Sequence, residues 1–134
     1  MKEKLTKLLE NAYSPYYKFP VSAIVVMKDG EYFGGVNVEN ANGTSICAER
    51  NAIATAVANG YKKEDFKEIY IMLSSGKFGT PCFACRQVIQ EFMNMDCLVH
   101  SVDREGNIKT FTVSELCPYP FSEEDLVWKV DLLV

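Results

Sequence analysis

Along this chain the apolar residues switch repeatedly between two spacings, and that alternation constrains the fold more than any other feature. Leu5, Leu8, Leu9 and Ala12 recur at helical intervals, which predicts an amphipathic first helix over residues 3–12, stopped by the stretch "YSPYYKFP". The run "VSAIVVM" reads as a strand. Asp29-Gly30 supplies a two-residue turn signal, and "EYFGGVNVE" returns as the second strand of an antiparallel hairpin. Gly34 and Gly35 either weaken that strand or mark a bulge in it. "CAERNAIATAVANG" has Ala, Ile and Val at helical spacing and closes on Asn59-Gly60, a C-terminal helix signal. "KEIYIMLSS" follows as a strand and "PCFACRQVIQEFMN" as a helix, with Pro81 at or just before its first turn. "DCLVHSV" and "IKTFTV" read as two more strands, joined by the polar loop "DREGN". In the tail "SEEDLVWKVDLLV" a short helix is expected from Ser122, with packing surface beyond it. The order predicts a sheet covered by helices, α/β or mixed α+β, in a single domain over residues 1–134 with no linker and no repeat.

Composition narrows the partners. The chain has 134 residues, 48% hydrophobic and 24% charged, enough for one core without disulfide staples. Its 14 basic and 18 acidic residues give a net charge of -4, so no general attraction draws it to nucleic acid or to an anionic membrane. No apolar run reaches the roughly 18 residues of a membrane span, and "MKEKLTKLLE" lacks an apolar signal core. A cytoplasmic protein is expected. Five cysteines, an odd number, argue against a disulfide framework and leave metal binding, catalysis or plain burial.

Reactive side chains collect at two of the predicted helix starts. Cys82 and Cys85 are three apart, on one helical face, and can bite a single ion; Cys47, at the start of the other helix, is a candidate third ligand. Helix N-termini favour thiolates, and Arg50 and Arg86 are placed in sequence to offset their charge. Structural zinc is normally closed by four protein ligands, whereas catalytic zinc keeps a position for water, so three ligands lean toward chemistry. Glu49 stands about 200° around an ideal helix from Cys47, a poor position for a fellow ligand but a usable one for moving protons at the open position. Zinc brings the pKa of bound water toward about 7. These parts make a hydrolase acting on carbon with a protonatable nitrogen leaving group. Two other readings stay open: a structural zinc module closed by Cys97 or Cys117, and a thiol oxidoreductase on Cys82 and Cys85. Cys97, in a predicted strand, and Cys117 otherwise read as small buried apolar residues, and His100 as a packed one.

"CAER" with "PCFACRQ" resembles the cytidine deaminase family, in its short zinc-dependent branch with three cysteine ligands. "YSPYYKFPVSA" is similar to the family segment P-Y-S-x-F-x-V-G-A, "DGEYFGGVNVENA" to its D-G…G-x-N-x-E-N hairpin, and "SELCPYPFSEEDL" to its E-L-L-P-x-x-F ending, so the resemblance spans residues 12 to 126. It implies a three-layer fold with a mixed five-stranded sheet covered by helices. It also implies one zinc per chain on Cys47, Cys82 and Cys85, and Glu49 as the proton shuttle between activated water, ring N3 and the departing amine. Asn37 and Glu39 would bond the ribose 3'-hydroxyl, and their spacing on a strand puts both on one face. Ala48 would offer its backbone amide to the pyrimidine carbonyl, Phe19 would stack near the ring, and Arg50 would temper the ligand sulfurs. Phe121 would come from a neighbouring subunit of a homotetramer.

The implied activity is hydrolytic deamination of cytidine or 2'-deoxycytidine in pyrimidine salvage; the alternatives are another aminopyrimidine nucleoside or analogue, or a non-catalytic zinc module. The chain departs from the pattern at Ser22 and Phe83, where glycine is usual. It departs again at "ANGTSI", which lacks an aromatic residue and is about one residue short, and at Cys117, which replaces leucine.

Overall fold

A computed structural model describes residues 1–126. Five strands form one sheet: β1 (Val21–Met27), β2 (Tyr32–Val36), β3 (Phe66–Leu73), β4 (Leu98–Val102) and β5 (Ile108–Thr112), in the order β2-β1-β3-β4-β5. All neighbours are antiparallel except β3 and β4, so the sheet is mixed. That parallel pair requires a crossover, which α3 (Phe83–Phe92) supplies. The other helices are α1 (Lys2–Leu9), α2 (Ala48–Ala58) and α4 (Val113–Leu116). The segment from Val127 to Val134, including Trp128, lies outside the described residues.

Side-chain alternation divides the core into two layers around the sheet. Ala23, Val25 and Met27 point toward α2 and α3, where they meet Ala52, Ile53, Ala56 and Ile89. Ile24 points the other way and joins Met72 and Val102 against Leu5 and Leu9 of α1. The expected three layers, with a mixed five-stranded sheet between helices, are thus present. Among the described residues no helix is long and apolar enough to cross a membrane.

Several element boundaries differ from those read in the sequence. α1 stops at Leu9, not at residue 12, because the amides of Asn11 and Ala12 bond the carbonyls of Leu8 and Leu9 three residues back, tightening the last turn. β2 ends at Val36; Val38 then bridges to both Tyr13 and Ile46, leaving Asn37 and Glu39 on an extended segment beyond the strand. β4 starts at Leu98, so Cys97 sits in the turn before it. Val113, the last residue of the expected strand "IKTFTV", instead opens α4. The Thr112 hydroxyl caps the amide of Glu115 while the Glu115 carboxylate accepts the amide of Thr112, a reciprocal cap that turns the chain into helix. The short helix expected from Ser122 is a 3-10 turn over Glu123–Leu126.

The glycines of β2 mark no bulge on that strand, since the β1–β2 register runs unbroken from Ser22↔Val36 to Val26↔Tyr32. Gly35 answers a packing need instead: a β-carbon there would lie 2.4 Å from the backbone nitrogen of Ala52 and 2.6 Å from the carbonyl oxygen of Ala48. The two departures at usual glycine positions are also accommodated. The Ser22 side chain is buried and its hydroxyl donates to the Leu5 carbonyl at 2.8 Å, tying α1 to the sheet. Phe83 points into solvent beneath the Arg86 guanidinium, 4.5 Å from its ring centre. Because the atoms facing Gly35 are backbone and cannot rotate away, Gly35→Ala should destabilise the fold by about 1–3 kcal/mol, read as a lower urea midpoint with an unchanged slope.

Candidate active site

α2 and α3 begin side by side. Cys47 is the N-cap of α2 and Cys82 the N-cap of α3, both in extended backbone, and Cys85 follows one turn into α3. The three thiols lie within 4.8 Å of one another, with the sulfurs of Cys47 and Cys82 3.7 Å apart. Two thiolates on a tetrahedral zinc, each about 2.3 Å from it, would stand about 3.8 Å apart. Cys85 is fully buried, Cys47 half-buried and Cys82 exposed, so the cluster is shut on the protein side and open on the other.

The surroundings act differently on each of these groups. Glu49 is only 5% exposed, and its burial raises the carboxyl pKa against the opposing pull of its own amide, Arg50 and Cys85. The Cys85 thiol is pushed up by burial and then by the charges of Glu49 and Cys47. At Cys82 burial also pushes upward, but the Cys85 amide and the neighbouring thiols outweigh it and the net shift is downward. Arg50 is the cation in direct contact: its Nη2 donates to Cys47 Sγ and to the Ser45 carbonyl, each at 3.4 Å. Its Nε is buried with no partner. Three converging sulfurs beside a buried carboxyl form a donor set that a divalent cation fits. Arg86 differs from its expected use, since none of its guanidinium hydrogen bonds goes to a ligand thiol; they go to Pro81, Leu116 and Thr80.

A cavity of about 370 Å³ opens onto the cluster, a usual size for a small-molecule pocket. Phe19, Asn37, Glu39, Ala48 and Glu49 line it together with Cys47 and Cys82. Asn37 and Glu39 hold the wall as well as facing it. Asn37 accepts from the Val21 amide at 2.8 Å and donates to the Phe19 carbonyl at 2.9 Å. Glu39 accepts from the Ser14 hydroxyl and from the amides of Tyr16 and Tyr17. Burial works against the ionised Glu39, but those hydrogen bonds prevail and lower its pKa. Ser14 passes the link on by accepting from the Phe19 amide at 2.9 Å.

Phe121 stands apart from this cavity within one chain. It is exposed, and its carbonyl accepts from Gln87 and Gln90 on the outer face of α3. The cavity also has walls that sequence reading passed over: Tyr17, Ile46, Ile71, Leu73 and Thr80. Ile71 and Leu73 occupy the end of β3 just before the cysteine loop, which was the available signal for them. His100 packs in the sheet, bonded to Glu68 and Thr110 at 2.8 Å each and stacked on Tyr70. Cys117 is buried, and Cys97 is half-buried against the core.

Residues 1–101 match the family model for the cytidine and deoxycytidylate deaminase zinc-binding region. The chain is 40% identical over 126 residues to a cytidine deaminase of Sporosarcina psychrophila, covering 93% of this chain and 91% of that one. The chain belongs to the cytidine deaminase family. A second relative, the cytidine deaminase of Halalkalibacterium halodurans, is 41% identical over 118 residues, covering 87% of this chain and 88% of its own. The crystal structure of a cytidine deaminase from Burkholderia pseudomallei superposes with a TM-score of 0.84 at 36% identity, covering 89% of this chain and 94% of that one. Membership of the cytidine deaminase family accounts for a zinc-type donor cluster at paired helix starts.

Zinc at 100 times its dissociation constant should stabilise the folded chain by about 2.7 kcal/mol. Urea unfolding with and without a chelator checks this, and Cys85→Ser should make the two curves coincide.

Proposed function

We propose that residues 1–134 act as one zinc-dependent deaminase domain that hydrolyses cytidine and 2'-deoxycytidine to uridine and 2'-deoxyuridine with release of ammonia. The observation that carries this reading is the buried Glu49 carboxyl beside three converging thiols on the wall of a cavity of nucleoside size. One zinc per chain, held by Cys47, Cys82 and Cys85, would supply a Lewis acid that makes water a nucleophile near neutral pH.

The chain's own residues do the rest. Glu49 takes a proton from the attacking water and delivers it to ring N3; after oxygen adds at C4, it takes the remaining proton from the new C4 hydroxyl and passes it to the amine as the C4–N bond breaks. Ammonia leaves, and the ring keeps a carbonyl. The Glu49 side chain is itself nearly closed to solvent, which favours proton exchange with the substrate over exchange with bulk water. The Ala48 amide, at the first position of α2 where helix amides lack internal partners, is available to the pyrimidine carbonyl. Phe19 offers a ring face beside the base. Asn37 retains an N–H, and Glu39 retains one acceptor site on Oε2, for the sugar hydroxyl. Arg50 keeps the thiolate charge tolerable through its contact with Cys47.

Phe121 projects from the chain with Tyr119 and Phe83, all exposed aromatic residues, and in a homotetramer it would complete the cavity of a neighbouring copy. The acidic balance favours a small substrate over nucleic acid, and a cytoplasmic enzyme of pyrimidine salvage follows from this substrate class. The purely structural zinc reading lacks support from a fourth donor: among the described residues the cluster holds three.

Ammonia release from a panel of cytidine, deoxycytidine, cytosine, CMP and adenosine tests the proposal. Cytidine and deoxycytidine should turn over, and Glu49→Gln should lower kcat by roughly 10²–10⁴-fold while zinc stays bound. Turnover confined to another amine would move the substrate assignment. An unchanged rate in Glu49→Gln would remove the proposed proton carrier.

A further inference from the structure

We infer that Arg86 is a positioning residue that fixes the approach of the chain to the metal ligand Cys82; this rests on the zinc site proposed above. Arg86 follows Cys85 on α3, and its guanidinium folds back over the segment that leads into the helix. Nε donates to the Pro81 carbonyl at 2.7 Å, Nη2 to the Thr80 hydroxyl at 2.9 Å, and Nη1 to the Leu116 carbonyl at 2.8 Å at the end of α4. Its plane is backed by the Phe83 ring at 4.5 Å.

One side chain thereby closes residues 80 and 81 onto the helix that bears Cys82 and Cys85, and ties both to α4. Two of its three acceptors are backbone carbonyls, which move only if the chain moves. Cys82 needs this support more than its partners do. Cys85 is buried inside α3, and Cys47 follows the Val38–Ile46 bridge, whereas Cys82 is an exposed N-cap at the end of a loop. Further up this lead-in, the Gly79 amide donates to the Ser101 hydroxyl at 2.9 Å.

The geometry depends on shape as well as charge. A guanidinium presents a planar fork of five donors, so it reaches three acceptors in different directions at once; an ammonium on a lysine stem is a single point and cannot. Charge compensation of the thiolates would need only the positive charge. The two roles therefore separate in Arg86→Lys.

The test is the zinc dissociation constant of the full chain, measured by competition with a chromophoric chelator. Wild type is compared with Arg86→Lys, Thr80→Val and Ser22→Ala. Arg86→Lys should weaken zinc by roughly 10-fold or more, as loss of a supporting hydrogen-bond shell does in other zinc sites. Thr80→Val removes one acceptor and should weaken it by about threefold, as expected for a single hydrogen bond; it also keeps the test open if Arg86→Lys does not fold. Ser22→Ala removes a buried hydrogen bond between β1 and α1, on the opposite side of the sheet from α3, so it should lower the melting temperature yet leave zinc affinity unchanged. Wild-type affinity in both Arg86→Lys and Thr80→Val would overturn the inference. So would an equal loss in Ser22→Ala, which would mean that general destabilisation releases the metal. Wild type that binds no zinc at all would instead remove the metal site on which the inference depends.

Discussion

α2 packs so closely on β2 at Gly35 that no β-carbon fits between them, and the position of the site depends on that contact. It presses the first turn of α2 against the sheet, where Ala48 is fully buried and Glu49 nearly so, and it sets Cys47 at the lip of the cavity. The β3–α3–β4 crossover then brings the start of α3 to the same edge. A parallel strand pair obliges the intervening helix to return across the sheet, so Cys82 and Cys85 arrive beside Cys47 through topology, without a local motif that spans all three.

That convergence brings three thiols and a buried carboxyl together at a cluster shut on the protein side and open on the other. Three sulfurs and a buried carboxyl face one direct cation, Arg50, whose Nε has no partner of its own. Helix N-termini help, since their free amides favour thiolates. A divalent ion would hold all three sulfurs as thiolates, and the 3.7 Å sulfur separation suits one. Polar side chains on the far wall do a second job. Asn37 and Glu39 brace residues 14–21, so the aromatic lip of the cavity and the groups proposed to hold the sugar are one hydrogen-bonded unit.

Local patterns in the sequence announced most of this architecture. Five apolar or alternating runs appear as five strands, and Asn59-Gly60 ends α2 with Gly60 at a φ of +96°. Cys47, Cys82 and Cys85 could be suspected as one cluster because two of them share a helical face and all three begin helices. What stayed hidden depends on long-range contact. The partners of Glu39 lie 22 to 25 residues away, and those of Arg86 include a carbonyl 30 residues on. Gly35 looked like a strand defect because the helix above it cannot be seen in one dimension. α4 is a different case, since its reciprocal cap was present in "TVSE" but the preceding β-branched residues favoured a strand.

X-ray absorption at the zinc edge of the loaded protein tests the central claim most directly. Three convergent cysteines with a position left open predict three sulfur neighbours at about 2.3 Å and one oxygen or nitrogen neighbour at about 2.0 Å. Four sulfur neighbours would mean a closed structural site and would contradict the account.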